Sequence, residues 1–86
     1  MEYHYMMSSR KEPKHEISRK EFVKLLGESD HCLETFEIGN TGLGWSIIDD
    51  KCYERAEKEI RNAQRRSGNS IWACGSMTLY LERRGK

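Results

Sequence analysis

The stretch SIWACGSMTLYLE, Ser70 to Glu82, decides the fold. Ile71, Ala73, Met77, Leu79 and Leu81 fall on one side of an extended chain, and Trp72, Cys74, Thr78 and Tyr80 on the other. That is the period of two expected of a strand whose one side is covered by a core. The pattern predicts a single final strand in which Gly75 marks a bulge or a close backbone approach. Read this way, Ile71, Met77 and Leu79 point inward, while Trp72, Thr78 and Tyr80 look at water.

Working back along the chain, Tyr53, Ala56, Ile60 and Ala63 recur at steps of three and four, the stripe of an amphipathic helix. Asp49 and Asp50 suit its N-terminus, where carboxylates accept from free amides and oppose the positive end of the dipole. Glu54 with Lys58 and Glu57 with Arg61 form i, i+4 pairs on the outer side. Arg61, Arg65 and Arg66 fall in the last turns, and Ser67, Gly68 and Asn69 end the helix. Before it, CLETFEI (Cys32 to Ile38) and WSII (Trp45 to Ile48) flank GNTGLG, whose Gly39, Gly42 and Gly44 allow a tight reversal; this predicts a β-hairpin.

Ser18 with Glu21 makes a capping box, and Ile17 with Phe22 has the spacing of a hydrophobic staple, so a helix starts at Ser18. Phe22, Val23, Leu25 and Leu26 supply its apolar face, and Gly27 stands where a left-handed C-terminal cap would go. Glu2 to Met7 read as a short strand, followed by the polar stretch SSRKEPKHE with the chain's one proline. Residues 1–16 are therefore expected to be a partly mobile arm and residues 83–86 a basic tail. The sum is one α+β domain over 1–86, a small antiparallel or mixed sheet with two helices on one face in the order (β)αββαβ. A ferredoxin-like arrangement is a candidate.

With 86 residues, 34% charged and 36% hydrophobic, the chain is too apolar for a disordered tail and too polar for membrane insertion. No apolar run approaches a bilayer-spanning length, and MEYHYMMSSRKE lacks a signal-peptide core, so a cytoplasmic protein without a membrane partner is expected. Cys32, Cys52 and Cys74 are an odd set at wide spacing, which predicts free thiols in a reducing compartment. Net charge is +1, but residues 25–60 carry three Lys/Arg against nine Asp/Glu, and residues 61–86 carry six against one. The acidic middle and basic end make the chain a dipole.

The residues give no catalytic constellation. His31 with Cys32, Cys52 and Cys74 lacks the paired spacing of a zinc site. Cys32 with His4 or His15 is open geometrically but weak as a nucleophile and base. GNTGLG is followed by a strand and lacks the lysine of a phosphate loop. Asp49 and Asp50 are explained as caps, and Glu34 and Glu37 as a solvated acidic patch. No cofactor and no metal are expected, and no enzymatic activity.

What remains favours binding. Trp72, Tyr80 and Thr78, with Arg83 nearby, form the expected partner surface, because Trp, Tyr and Arg dominate interface hot spots. The expectation is a small non-enzymatic protein-binding module, a regulator or inhibitor of a larger partner, of a size common among regulators carried by phages and other mobile elements. A homodimer through the sheet face fits the same surface. The alternative is an RNA- or DNA-binding domain using Arg61, Arg65, Arg66, Arg83 and Arg84 on phosphates.

Overall fold

A computed structural model describes residues 2–29, 32–37, 43–48, 53–66 and 68–84. Among them the order is β1 (Glu2–Ser9), β2 (His15–Ile17), α1 (Arg19–Glu28), β3 (Cys32–Glu37), β4 (Leu43–Ile48), α2 (Tyr53–Arg65), β5 (Ser70–Cys74) and β6 (Met77–Arg84). The strands form one sheet in the order β2-β1-β6-β5-β3-β4, in which β2 is a three-residue edge beside five longer strands. Every neighbouring pair is antiparallel. The fold is thus a small α+β fold, but its sheet order differs from a simple ferredoxin arrangement, because the chain's last segment inserts as a hairpin between β1 and β3.

That hairpin corrects the reading of residues 70–82. Cys74 pairs with Met77, so Gly75 and Ser76 are a two-residue turn and not a bulge within one strand. Gly75 has φ +66° and Ser76 does not have a positive φ, the signature of a type II′ turn with glycine at its first central position. Paired residues of a hairpin share a face, so Trp72 joins Leu79 and Ser70 joins Leu81. Ile71 with Tyr80, and Ala73 with Thr78, take the opposite face. Trp72 is accordingly 0% exposed, whereas Ile71, expected inside, is 37% exposed. A single strand would have kept Ile71 and Leu79 together; reversing the chain over two residues exchanges the partners.

Trp72 sits at the centre of the core. The buried cluster takes Phe22, Val23 and Leu26 from α1, Ala56, Ile60 and Ala63 from α2, and Cys32, Trp72, Leu79 and Leu81 from the sheet. Phe22 meets Trp72 edge-on at 5.5 Å and Tyr5 at 5.2 Å between ring centroids. Such pairs add about 0.5–1.5 kcal/mol each beyond area burial. Tyr3, Tyr5, Met7 and Ile17 pack around the cluster, so the N-terminal segment read as an arm carries two paired strands, and β1 pairs with β6 from Glu2 to Ser9. Arg83 and Arg84, read as tail, belong to β6.

Helix α1 starts as the capping box predicts: Ser18 Oγ accepts from the Glu21 amide at 3.1 Å, and the Phe22 amide donates to the Ser18 carbonyl at 3.0 Å. Its end differs from expectation. Gly27 is buried within the helix, and Ser29 is the cap, its amide donating to the Leu26 carbonyl and its hydroxyl to the Leu25 carbonyl. The predicted hairpin of β3 and β4 is present as a six-residue antiparallel pair, while Gly39, Gly42 and the cap candidates Asp49 and Asp50 lie outside the described residues.

Replacing Trp72 with alanine should cost about 3–5 kcal/mol, a large part of the roughly 5–15 kcal/mol available to a small domain. Urea unfolding followed by circular dichroism should show the midpoint collapse for Trp72→Ala and move far less for Tyr80→Ala. Gly75→Ala should cost about 1 kcal/mol through its left-handed φ alone, since an added Cβ meets nothing within 4 Å.

Candidate interaction surface on the outer sheet face

The face turned away from the Trp72 cluster is ordered by register. One cross-strand row runs Leu33, Ala73, Thr78, Ser8, and the next runs Thr35, Ile71, Tyr80, Met6. In backbone register, Leu33 pairs with Ile47 and Thr35 with Trp45 of β4. Leu33 and Ile71, diagonal neighbours, are the exposed large hydrophobic side chains among the described residues, at 38% and 37%. Ala73 is exposed as well, and Thr35, Thr78, Tyr80 and Met6 are half-buried. This end of the face is apolar.

The other end is charged and internally bonded. Tyr80 shares a hydrogen bond with Ser8 at 2.8 Å, and Lys14 Nζ lies 4.4 Å from the centre of the Tyr80 ring. Lys14 also pairs with Glu82, which takes Arg84 on its other oxygen at 2.7 Å. His4 Nδ1 meets Glu16 at 3.0 Å beside them. The Lys14 hydrogen bond, assisted by Arg84, holds the Glu82 carboxyl below the usual glutamate range against the opposing effect of burial. The face therefore passes from apolar Leu33 and Ile71 to a fixed ionic rim around Tyr80.

Only part of the expected partner surface is assembled there. Tyr80 and Thr78 lie in the two rows, but Trp72 is in the core, and Arg83 belongs by register to the Trp72 side. The Arg83 amide donates to Asn69 Oδ1 at 3.0 Å, its guanidinium donates to the Arg66 carbonyl, and its charge sits 5.9 Å from the Tyr3 ring centre. Arg83 thus closes the C-terminal end of α2. Reading Gly75 as a bulge or a close backbone approach within one strand places Ile71 inside; the glycine-serine dipeptide between two alternating runs is the signal that would have put it on this face.

The five arginines of the nucleic-acid alternative do not form one free patch. Arg66 ion-pairs with Glu34, which is 0% exposed, so Glu34 is a buried charge partner and not the solvated acidic residue expected. Arg84 is held by Glu82, and Arg83 is engaged as above. Arg61, with a side chain 70% exposed, lies 4.0 Å from Glu57, whose carboxyl is lowered chiefly by its two-pronged bond to Arg19. Arg65 is exposed on α2.

The cysteines also depart from expectation. Cys32 and Cys74 are joined as a disulfide across β3 and β5, with Cα atoms 4.7 Å apart, and so are not free thiols. They extend the ladder beyond the Leu33 and Ala73 pair, and antiparallel neighbours at that separation suit a bridge. Sulfurs bonded to each other are not ligands for zinc, and His4 and His15 lie on strands separated from β3 by β6 and β5, so neither serves Cys32 as a base. His31 and Cys52 lie outside the described residues. Among the described residues no helix is long and apolar enough to cross a membrane.

No known protein family, curated protein or solved structure matches this chain.

Two outcomes follow from this geometry. Glu82 is depressed by its folded-state partners, so its contribution is present above the unfolded carboxyl pKa and is lost as pH falls through the folded value. Urea midpoints measured from neutral to acid pH should fall below the ordinary glutamate range, and Glu82→Gln should flatten that fall. Arg66→Ala should destabilise by about 3–5 kcal/mol, because it takes the Arg66 cation away from the fully buried Glu34 carboxylate, and thermal melting would register it.

Proposed function

We propose that this chain is a small protein-binding module, a regulator or inhibitor that acts on a larger partner through the outer face of its sheet. The observation that carries the reading is the exposed pair Leu33 and Ile71, set in register with Thr78 and Tyr80 and bordered by the Lys14, Glu82 and Arg84 ions. Among the described residues, the core side chains of both helices belong to the cluster around Trp72, and Leu33 and Ile71 stay exposed. An apolar centre beside an aromatic anchor and a polar rim is the arrangement of an interface core.

The same face would serve a homodimer. Engagement of Arg66, Arg83 and Arg84 by internal partners weakens the support for a phosphate-gripping surface, so nucleic acid stands behind a protein partner in this reading. The reading contains no catalytic step. A cytoplasmic location remains compatible with it, although the Cys32 and Cys74 bridge takes away the cysteine argument for a reducing compartment.

Affinity capture from the native host, with and without nuclease, should retain a protein that Ile71→Glu and Leu33→Lys each release by tenfold or more, about 1.4 kcal/mol. Circular dichroism melts of both variants should match the parent. Recovery that is unchanged by either substitution, or abolished by nuclease or modest salt, would overturn the proposal in favour of another surface or a nucleic acid.

A further inference from the structure

The two sulfurs of the cross-strand bridge stand in unlike surroundings. Cys32 is 0% exposed and belongs to the core cluster, whereas Cys74 is half-buried and packs only at the cluster's edge. Cys74 lines a cleft of about 460 Å³ together with Leu25, Glu28, Ser29, Gly75, Ser76 and Met77, and Cys32 is not among the lining residues. The cleft lies between the C-terminal end of α1 and the β5-β6 turn. Cys74 therefore borders an open cleft, whereas Cys32 is enclosed by packed side chains.

Position in the sheet gives the bond a consequence. Among the described residues, the β3-β4 hairpin joins the rest of the sheet through β5, by the pairs Leu33 with Ala73 to Phe36 with Ser70. The disulfide clamps one end of that seam, directly beside the Leu33 and Ala73 pair. Opening it would release the clamp on β3 without removing a core side chain.

We infer that the Cys32–Cys74 disulfide is a site of thiol–disulfide exchange, attacked at Cys74 from this cleft by small thiols or dithiols. A thiolate bonds to the Cys74 sulfur, the bond to Cys32 breaks, and Cys32 leaves with the electron pair and takes up a proton. With a dithiol, its second thiolate then attacks the mixed disulfide and releases Cys74. Two electrons and two protons pass to the protein, and the dithiol becomes a cyclic disulfide. The direction of attack follows from access, since the thiolate must approach the sulfur it bonds to and packing closes the approach to Cys32. The Glu28 carboxylate on the cleft wall disfavours anionic thiols relative to neutral ones.

The test uses full-length Cys52→Ala protein exposed to glutathione in excess, quenched by alkylation and mapped by peptide mass. The expected result is a mixed disulfide on Cys74 with Cys32 alkylated, at a rate proportional to thiol concentration. In Glu28→Lys protein the rate with glutathione, relative to neutral 2-mercaptoethanol, should rise roughly two- to fivefold at low salt. An adduct on Cys32, a rate independent of thiol concentration, or a thiol-selectivity ratio unmoved by Glu28→Lys would each overturn the inference. So would two free thiols in the native protein under mildly oxidising glutathione. Amide exchange should add a separate readout: protection along Leu33 to Phe36 should drop several-fold on reduction while β1 and β6 keep theirs.

Discussion

The two-residue reversal at Gly75 and Ser76 is the constraint on which the rest of this structure depends. An uninterrupted strand keeps its alternation, but a two-residue hairpin turn makes positions equidistant from the turn share a side. That rule brings Trp72 under Leu79 and Ser70 under Leu81, and pushes Ile71 and Ala73 outward beside Tyr80 and Thr78. Glycine at the first central position makes the turn inexpensive, because it adopts the required positive φ without a Cβ clash. The identity of the core and of the outer face both follow from this one local conformation.

Around Trp72 the packing is aromatic and ionic as well as aliphatic. Phe22 bridges Tyr5 and Trp72 edge-on, so α1 is tied at once to β1 and β5. Tyr5 and Tyr3 reach Gln64 at 2.6 Å each, one through its side chain and one through its carbonyl, fastening the end of α2 to the same strand. Glu34 and Arg66, with Arg83 bonded to the Arg66 carbonyl, add a polar network at the same end. Buried ion pairs give little net stability but penalise arrangements that separate them, which fits a role in fixing how α2 seats on β3 and β6. Two of the arginines that look like a basic cluster in sequence, Arg66 and Arg83, thus fasten a helix end.

The outer face and the disulfide meet at one place. Leu33 and Ala73, neighbours on the face, directly follow Cys32 and precede Cys74, whose side chains lie on the core side. A bond that clamps β3 to β5 also fixes the spacing of the apolar rows above it, which connects the thiol chemistry of the cleft to the surface through two adjacent residues of backbone. At the far end of the rows, Ser8 hydrogen-bonds to Tyr80, and Lys14, paired with Glu82, lies over its ring.

Much was legible from local patterns. Ser18 with Glu21 placed the start of α1, the three-four spacing of Ala56, Ile60 and Ala63 marked α2 and its buried stripe, and the glycine-flanked apolar runs gave β3 and β4, because capping, periodicity and turn chemistry act within a few residues. Tertiary structure alone decided which side of each strand was covered, which arginines were free and which cysteines met. Glu34 is a surface residue in sequence and a buried one in the fold, since the contact from Arg66, 32 residues away, offsets its desolvation. Cys32 and Cys74 are 42 residues apart and become neighbours only once β5 pairs with β3. Local physics specifies elements; the sign of a face and the partner of a charge depend on contacts that no short window of sequence contains.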